Sequence, residues 1–487
     1  MNKTGQQTNW GQFGVLITVF FFWGFVAASN GILIPMFKSK FDLTQFQSQL
    51  VDMAFYAAYG IGSLIYFLIS NAFGDPLNKI GYKNGLLLGL LISAIGALTF
   101  VPAANMLSYP LFLSGLFIIA LGFSLLQIVA NPFVINLGNP AYGSHRLNLA
   151  GGLNSFGTTI GPVITSFVLF GAIGDKAAKA AVDLDALKTL FIALACTFVL
   201  LIVLISASSL PKVTSDDKIE KSFSALRYPQ LVLGMLAIFI YVGTEVTIQS
   251  NLGALVKTAD FGNMEDAHIA PYISLYWGSL MIGRWNGSLS VFNLKESNRK
   301  LLSIVVPFIA FGIILIVNKM YGKDVQELFI YAIWIVVFIL ASFWSAQKPA
   351  KTLVVFGLAA VAMMLVGLCT RGQVALFSFI SGGLFCSVMW PCIFNLAIAG
   401  LGKYTNQGSS LLIMMIFGGA LIPPLQGHLC DMDKANPGGI LGTSFTHFSY
   451  IVPVAGFLYL AWYGYKVKGI LKSQGIDYES TAAGSGH

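Results

Sequence analysis

The chain has 487 residues, of which 56% are hydrophobic and 10% charged, and its mean hydropathy is +0.77. A soluble domain carries about 25% charged residues, so the composition excludes that class and predicts an all-α polytopic membrane protein. The net charge of +8 indicates membrane topology rather than nucleic-acid binding. The five cysteines are scattered, which predicts neither a disulfide framework nor a metal site.

Apolar runs of about 20 residues, the length that crosses a hydrocarbon core, occur fourteen times along the chain. Six precede a polar stretch at 211–230, near 12–37, 46–71, 82–102, 110–137, 146–171 and 187–209. Eight follow it, near 231–256, 270–293, 300–318, 327–346, 351–369, 374–399, 406–428 and 445–467.

The position of the polar stretch predicts the domain organisation. An N-terminal six-helix bundle would cover 1–210, a cytoplasmic linker 211–230, and a C-terminal bundle 231–472. The tail at 473–487 ends in AAGSGH, which is typical of an added linker. Most lysines and arginines fall on one side when the amino terminus is placed in the cytoplasm, so we expect both termini there and a multi-pass protein of the bacterial inner membrane.

The two halves of the chain share a sequence pattern that indicates an internal repeat. Residues 130–162 and 389–424 both contain a proline followed four positions later by Asn-Leu, then a glycine-rich polar turn and an apolar run ending in Gly and Pro. Paired repeats of this kind place a substrate site near the bilayer midplane, between the repeats. A chance similarity of two glycine-rich helices is the alternative.

Two loops read GDPLNKIGYKNGL (74–86) and GRWNGSLSVFNLKESNRKLL (283–302). Both resemble degenerate forms of the cytoplasmic loop signature of the major facilitator superfamily. The resemblance implies a cytoplasmic gate or motif formed by Gly74, Asp75, Arg146 and Arg284.

Five further motifs are WGFVAASNGILIPMFK (23–38), LLQIVANPFVINLG (125–138), RLNLAGGLNSFG (146–157), YVGTEVTIQSNL (241–252) and QGSSLLIMMIFGGALIPPLQG (407–427). In order and spacing, this set is similar to the fucose/glucose/galactose:cation symporter branch of that superfamily. The resemblance implies a two-bundle transporter of twelve helices that imports a monosaccharide with H⁺ or Na⁺ by alternating access, without a cofactor. Since the family has twelve spans and the sequence has fourteen apolar runs, we expect an extra hairpin at about 300–346.

The sequence departs from the fucose-type members at two positions. Those members carry acids where this chain has Gly31 and Gln127, so both of their candidate proton carriers are absent here. An ionised carboxylate inside a membrane helix costs about 2.5 to 3.5 kcal/mol and is usually functional. Glu245 and Asp52 lie inside apolar runs and are the candidates for cation coupling; an acid hydrogen-bonded into helix packing is the alternative for each.

A sugar pocket needs amides and carboxylates to pair with hydroxyl groups, and aromatic faces for the apolar face of the ring. Trp277 and Trp390 are the candidate aromatic platforms, although packing is the commoner role of such residues. Amides between helices also act as interhelical hydrogen-bond partners. The candidate polar groups for sugar binding are Asn30, Gln127, Asn131, Asn154, Glu245, Gln249, Asn251 and Asn395.

Two alternatives keep the membrane assignment but change the function. Loss of the acids at Gly31 and Gln127 would also suit an uncoupled sugar facilitator of the same fold. A membrane enzyme acting on lipid-linked substrates would need His428, Asp431 and His447, but no nucleophile motif accompanies them. We expect a monomer in the bilayer that binds a monosaccharide and no nucleic acid; the sequence leaves the sugar and the coupling ion open.

Overall fold

The computed structural model describes residues 8–43, 45–138, 142–170, 184–210, 224–264, 266–292, 294–322, 324–346, 348–436, 439–440 and 442–476. Long helices occupy nearly all of these residues. The N-terminal half contains α1 (Trp10–Lys40), α2 (Gln45–Phe73), α3 (Pro76–Leu98), α4 (Tyr109–Asn136), α5 (Gly143–Phe170) and α6 (Leu184–Ala207).

The described residues of the C-terminal half form eight more long helical elements, two of which are interrupted; the short helices Leu252–Val256 and Phe445–Phe448 lie between them. The eight long elements are α7 (Pro229–Ser250), α8 (Asp266–Ser288), α9 (Glu296–Met320), α10 (Ala332–Ser345), α11 (Pro349–Cys369), α12 (Gly372–Ile380, Gly382–Cys386 and Met389–Ala397), α13 (Thr405–Met414 and Gly418–Ala435) and α14 (Ile451–Ser473).

Twelve helical segments of the described chain are long and apolar enough to cross a membrane. They confirm the prediction of an all-α polytopic membrane protein. Helices α5 and α8 are 28 and 23 residues long but are not among the twelve. Both carry several polar residues inside the helix, including Asn148 and Asn154 in α5 and Arg284 and Asn286 in α8.

The chain divides into two compact units. Unit 1 contains Met1–Gly143, Leu153–Tyr228 and Leu401–Met415. Unit 2 contains Ser144–Gly152, Pro229–Gly400 and Ile416–His487. The first turns of α5 therefore belong to unit 2 and the first segment of α13 to unit 1. The boundary after Tyr228 lies in the stretch for which the sequence predicts a linker.

Glycines permit the closest helix packing in unit 1, where α3 and α4 run against each other. A Cβ atom on Gly122 would lie 2.4 Å from the carbonyl oxygen of Gly89, and one on Gly89 would lie 2.9 Å from that of Gly122. Ser93 crosses the same contact and donates to the Ile119 carbonyl at 3.1 Å. Small residues at such crossings allow membrane helices to approach without a hydrophobic driving force.

In unit 2, α7 packs against α14 and the second segment of α13, while α11 packs against α14. Helices α9 and α10 form a hairpin that lies between α8 and α11, since α9 contacts α8 and α10 contacts α11. The connection between them contains a 3₁₀ turn at Glu327–Tyr331. A similar 3₁₀ turn, Met415–Phe417, separates the two segments of α13. Short 3₁₀ stretches inside long helices often mark hinges or strain.

Candidate functional site

Glu245 is the centre of a polar cluster in unit 2. It lies in the last two turns of α7, where its side chain is 12% exposed. Tyr241, one turn earlier, donates its hydroxyl hydrogen to Glu245 Oε1 at 2.6 Å. Tyr276 on α8 donates to the backbone carbonyl of Glu245 at 2.6 Å. Two tyrosines therefore fix this part of α7 and one oxygen of its carboxylate.

Arg284, which the sequence resemblance assigns to the cytoplasmic motif, lies beside this acid. Its Nη2 is 3.9 Å from Glu245 Oε1. The guanidinium also donates from Nε to the Ser387 carbonyl at 3.2 Å and from Nη1 to the Gly151 carbonyl at 3.4 Å. The arginine thus donates to two backbone carbonyls, and its contact with the acid is loose compared with a hydrogen-bonded ion pair.

Both candidate tryptophans flank the two tyrosines. The rings of Trp390 and Tyr241 lie 6.1 Å apart, and those of Trp277 and Tyr276 lie 5.6 Å apart at 75°. Trp277 and Trp390 are partly exposed whereas both tyrosines are buried. The cluster therefore presents aromatic surface beside a carboxylate, the combination that a sugar ring requires.

The other predicted residues of unit 2 lie along α7 and α12. Asn251, just beyond the end of α7, donates to Gln426 Oε1 at 3.1 Å, and Gln426 donates to Ser449 at 2.9 Å. Gln249 is partly exposed on α7, and Asn395 is buried in the last segment of α12. Asn251 therefore takes part in an interhelical network, the alternative role that the sequence leaves open for these amides.

A second cluster lies in unit 1, where Gln127 and Asn131 are buried on one face of α4. Gln127 Oε1 and Asn131 Nδ2 have no hydrogen-bond partner among the described residues. The buried Tyr59 hydroxyl lies near Gln127 and Trp23 without a well-formed hydrogen bond to either. Buried polar groups are normally paired, so these atoms mark a place for a polar ligand or water.

Asn154 has a different environment from these two residues. Its Nδ2 donates to the Phe20 carbonyl on α1 at 2.9 Å, and Gly24 makes room for it, since a Cβ there would lie 2.8 Å from that nitrogen. Asn154 therefore joins α1 to α5 as an interhelical amide.

Helix α1 is continuous through Asn30 and Gly31. The side chains of Asn30 and Asp52 lie outside the described part of the chain, so their predicted roles stay predictions. Ser29, the preceding residue, is buried and pairs with Thr165 of α5 at 2.8 Å.

The 74–86 motif forms a helix start in unit 1. Gly74 has φ +85°, a conformation that favours glycine, and Asp75 caps α3 by accepting from the Leu77 amide at 2.9 Å. Tyr66 donates to the same carboxylate. Burial of Asp75 raises the pKa of its carboxyl, and the hydrogen bonds from Tyr66 and the Leu77 amide offset only part of this.

The first segment of α13 packs next to this motif. Asn406 Oδ1 accepts from Tyr82 at 2.7 Å, and Gln407 donates to Ser70 at 3.1 Å. Asp75 and its helix start thus belong to a hydrogen-bonded group within unit 1. Arg146, the remaining residue of the predicted motif, is fully buried near the start of α5, in unit 2.

A small cavity of about 20 Å³ lies in unit 2 among α5, α8, α10, α11 and α12; Ser144, Asn148, Ser342 and Thr352 contribute to its lining. This space holds about one water molecule. It is too small for a monosaccharide, so the Glu245 and Gln127 clusters remain the candidate sugar sites. In the described residues, no group of three or more His, Cys, Asp or Glu side chains could hold a metal ion.

The chain is similar over nearly its whole length to curated sugar transporters. It is 31% identical over 466 residues to the glucose/galactose transporter of Brucella abortus biovar 1, covering 95% of each chain. It is 32% identical over 458 residues to a putative glucose/galactose transporter of Helicobacter pylori 26695, covering 93% of this chain and 96% of the relative. It is 29% identical over 440 residues to the L-fucose-proton symporter of Escherichia coli K12, covering 86% of each.

The fold is similar to that of FucP, a major facilitator superfamily transporter whose crystal structure was solved in the outward conformation. The TM-score is 0.70 at 26% identity, over 93% of this chain and 98% of the solved one. No family model matches the sequence. The chain belongs to the fucose/glucose/galactose branch of the major facilitator superfamily, and it is a transporter rather than an enzyme.

Proposed function

We propose that this protein is a secondary active transporter that imports a hexose-type monosaccharide by proton-coupled symport with alternating access. The observation that carries the proposal is Glu245, a buried carboxylate that has one close hydrogen bond from Tyr241 and a cation, Arg284, at 3.9 Å. The relatives named glucose/galactose transporter and L-fucose-proton symporter support the substrate class and the coupling ion.

A proton suits this cluster better than sodium. Sodium needs several oxygen ligands, whereas the Glu245 carboxylate is accompanied by a guanidinium that would repel a metal cation. A proton needs only one carboxylate oxygen. In the proposed scheme, Glu245 is protonated only when sugar is also bound. The empty carrier and the carrier loaded with both sugar and proton then reorient, and the half-loaded carrier does not.

In unit 1, we propose Gln127 and Asn131 as partners of sugar hydroxyls through their unsatisfied atoms. In unit 2, we propose the Glu245 cluster for the same role, with Trp277 and Trp390 as contacts for the apolar face of the ring. Gln249 and Asn395 are proposed as secondary contacts. Asn154 and Asn251 already have interhelical partners, so a contribution from either would require rearrangement.

The proposed topology has fourteen crossings, with both termini in the cytoplasm of the bacterial inner membrane. It adds α5 and α8 to the twelve apolar segments, because each is a helix of membrane-spanning length that packs among them. In this topology the hairpin α9–α10 is the element added to the twelve-helix family pattern. Its exposed apolar side chains, including Leu301, Ile316 and Leu340, suit a lipid-facing position.

The test is uptake by the purified protein in proteoliposomes. D-glucose, D-galactose and L-fucose, each radiolabelled, are offered with an imposed proton gradient, an imposed sodium gradient or neither. Accumulation above the external concentration with the proton gradient alone is expected. Equilibration of sugar with no accumulation under either gradient would indicate an uncoupled facilitator. The observation that favours this second function is that Gly31 and Gln127 replace the acids of fucose-type members. No entry of any of the three sugars would refute the proposed substrate class.

A further inference from the structure

Four hydrogen bonds join the α9–α10 hairpin to α8: two involve the connecting turn Glu327–Tyr331, one involves α9 and one involves α10. Tyr272 donates to Glu327 at 2.5 Å, Asn318 to Ser274 at 2.9 Å, and Asn286 to Ser342 at 3.0 Å. Between them, Ser279 and Tyr331 pair at 2.8 Å. Since the Ser279 hydroxyl already donates to the Leu275 carbonyl, Tyr331 is the donor in that pair.

Three of the four hydrogen-bonding residues form one stripe of α8, and Ser274 lies outside it. Tyr272, Ser279 and Asn286 are spaced by seven residues, about two helical turns, so they lie on one face. Trp277 and Arg284 are also seven apart, but each is offset from the stripe by two residues, or about 200° of helix rotation. Trp277 and Arg284 therefore lie on the side of α8 opposite the stripe, and Ser274, two residues from Tyr272, lies on that side as well.

The attachment is buried and closely packed. Ser279, Asn286 and Tyr331 have no exposed surface. Gly278 lets α9 approach α8, since a Cβ there would lie 2.4 Å from Ile314 Cδ1. Beyond the hydrogen bond, the Tyr331 ring stacks on Trp334, which itself donates to Ser378 of α12 at 3.2 Å.

A hairpin that only filled space in the membrane would not need polar side chains on its inner face. Helix packing in lipid is satisfied by apolar and small residues, and each buried polar group adds a requirement for a partner. Paired polar residues at fixed positions are a known means of setting register between helices. Three such pairs along the stripe, together with the fourth at Ser274, restrict both the rotation and the translation of α8.

We propose that the α9–α10 hairpin is a brace that sets the rotation and height of α8 and thereby positions Trp277 for sugar binding and Arg284 beside Glu245. Glu327, Tyr331 and Ser342 are the positioning residues. The inference rests on the proposed sugar-transport function for its consequence, but the attachment itself is independent of any substrate.

The test removes two attachments while keeping the shape of the side chains. Tyr331→Phe and Ser342→Ala are combined, and amide hydrogen exchange of α8 is measured without sugar. Each interhelical hydrogen bond in a membrane protein is worth a factor of about three in an equilibrium constant. We expect exchange of α8 amides to rise about threefold or more while α3 and α4 keep the parental rate.

The same variant is then assayed in proteoliposomes with the sugar of the three-hexose panel that the parent takes up fastest. The KM is expected to rise at least about threefold while Vmax stays within about twofold, because binding geometry changes and the reorienting machinery does not. The matched control changes two exposed positions of the same hairpin, Phe329→Leu and Leu340→Val, and should keep the parental KM. Ser342→Thr, which retains the hydroxyl, should keep it as well.

Unchanged α8 exchange in the double variant, or a lower thermal stability with an unchanged KM, would overturn the brace. If the double variant does not fold, Tyr272→Phe alone removes one attachment at the other end of the stripe and must shift both measurements in the same direction. If the parent transports no sugar, the proposed function fails while the exchange measurement still decides whether the hairpin holds α8.

Discussion

Glu245 and Arg284 lie 3.9 Å apart at their nearest charged atoms, on two helices that are joined again by the hydrogen bond from Tyr276 to the Glu245 carbonyl. The carboxylate has the closer contact with Tyr241. A removable proton on this acid is what the proposed coupling requires. If Glu245 carries the coupling proton, a change at this residue should convert a symporter into a facilitator.

The first prediction concerns Glu245→Gln, which keeps the size of the side chain and an oxygen that can accept from Tyr241. We expect the variant to exchange internal for external sugar at a rate comparable with the parent, but to lose accumulation driven by a proton gradient. Counterflow and gradient-driven uptake are measured on the same proteoliposomes. Gradient-driven accumulation at the parental level would remove Glu245 from the coupling mechanism.

The second prediction tests whether Glu245 and Arg284 stabilise each other. Arg284→Gln leaves Glu245 without a nearby cation, and removing one partner of a buried pair costs about 3 to 5 kcal/mol; the 3.9 Å separation places the expected loss at the lower end. The double variant Glu245→Gln/Arg284→Gln should recover most of the lost thermal stability. Additive losses in the double variant would show that the two side chains are not energetically coupled.

The third prediction distinguishes amides that bind sugar from amides that join helices. Gln127→Ala or Asn131→Ala removes an atom that has no partner in unit 1, so sugar affinity should fall while thermal stability without sugar stays near the parent. A lost hydrogen bond to a ligand corresponds to about 0.5 to 1.5 kcal/mol, or roughly two- to tenfold in affinity.

Asn154→Ala provides the matched comparison for that measurement. Because this side chain donates to the Phe20 carbonyl, its loss should lower the melting temperature more than it lowers sugar affinity. Isothermal titration with the transported hexose and a melting curve without sugar are recorded for all three variants. Equal effects of the three changes on both quantities would contradict the distinction.

The sequence predicts the helices well because apolar runs of membrane-spanning length leave few alternatives to a helix in lipid. The run at 374–399 corresponds to α12, although the structure divides it into three segments, and the run at 406–428 corresponds to α13 with its 3₁₀ turn. Such divisions depend on packing against neighbouring helices, which a hydropathy pattern does not contain.

The candidate site is predicted in part for a related reason. Glu245 is visible as an acid inside an apolar run, and Tyr241 could have been found from its i, i+4 spacing to that acid. The neighbouring position of Arg284 could not, because it depends on how α8 packs against α7. The position of Tyr59 near Gln127 could not be predicted either, because it depends on how α2 packs against α4.

The fourth prediction is a pH dependence of stability at the 74–86 motif. Burial raises the pKa of Asp75, so the folded state favours the protonated carboxyl. The protonated carboxyl stabilises the folded protein at pH values below the pKa of the unfolded chain, about 3.9. This stabilisation is lost as the pH rises from that value toward the raised pKa of the folded state. Asp75→Asn removes this titration and keeps a capping side chain, since Asn and Asp are comparable N-caps.

The melting temperature of the parent should therefore fall relative to that of Asp75→Asn as pH rises from about 4, the unfolded carboxyl value, and the two should converge below it. Asp431→Asn, a change at an exposed carboxyl, controls for the loss of one negative charge. A parent that gains stability relative to Asp75→Asn with rising pH would show that the hydrogen bonds outweigh burial.

The fifth prediction tests the glycine contact between α3 and α4. Gly122→Ala would place a Cβ 2.2 Å from Ser93 Oγ and 2.4 Å from the Gly89 carbonyl oxygen, so the helices must separate, at a cost of about 1 to 3 kcal/mol for overpacking.

Gly60→Ala is the matched control, because a Cβ at Gly60 meets no atom within 4 Å and alanine is favoured over glycine in a helix by about 1 kcal/mol. We expect a lower melting temperature for the first variant and an unchanged or higher one for the second, measured in the same detergent. If both variants shift in the same direction by similar amounts, the helix propensity of the residue, rather than the approach of α3 to α4, determines the effect.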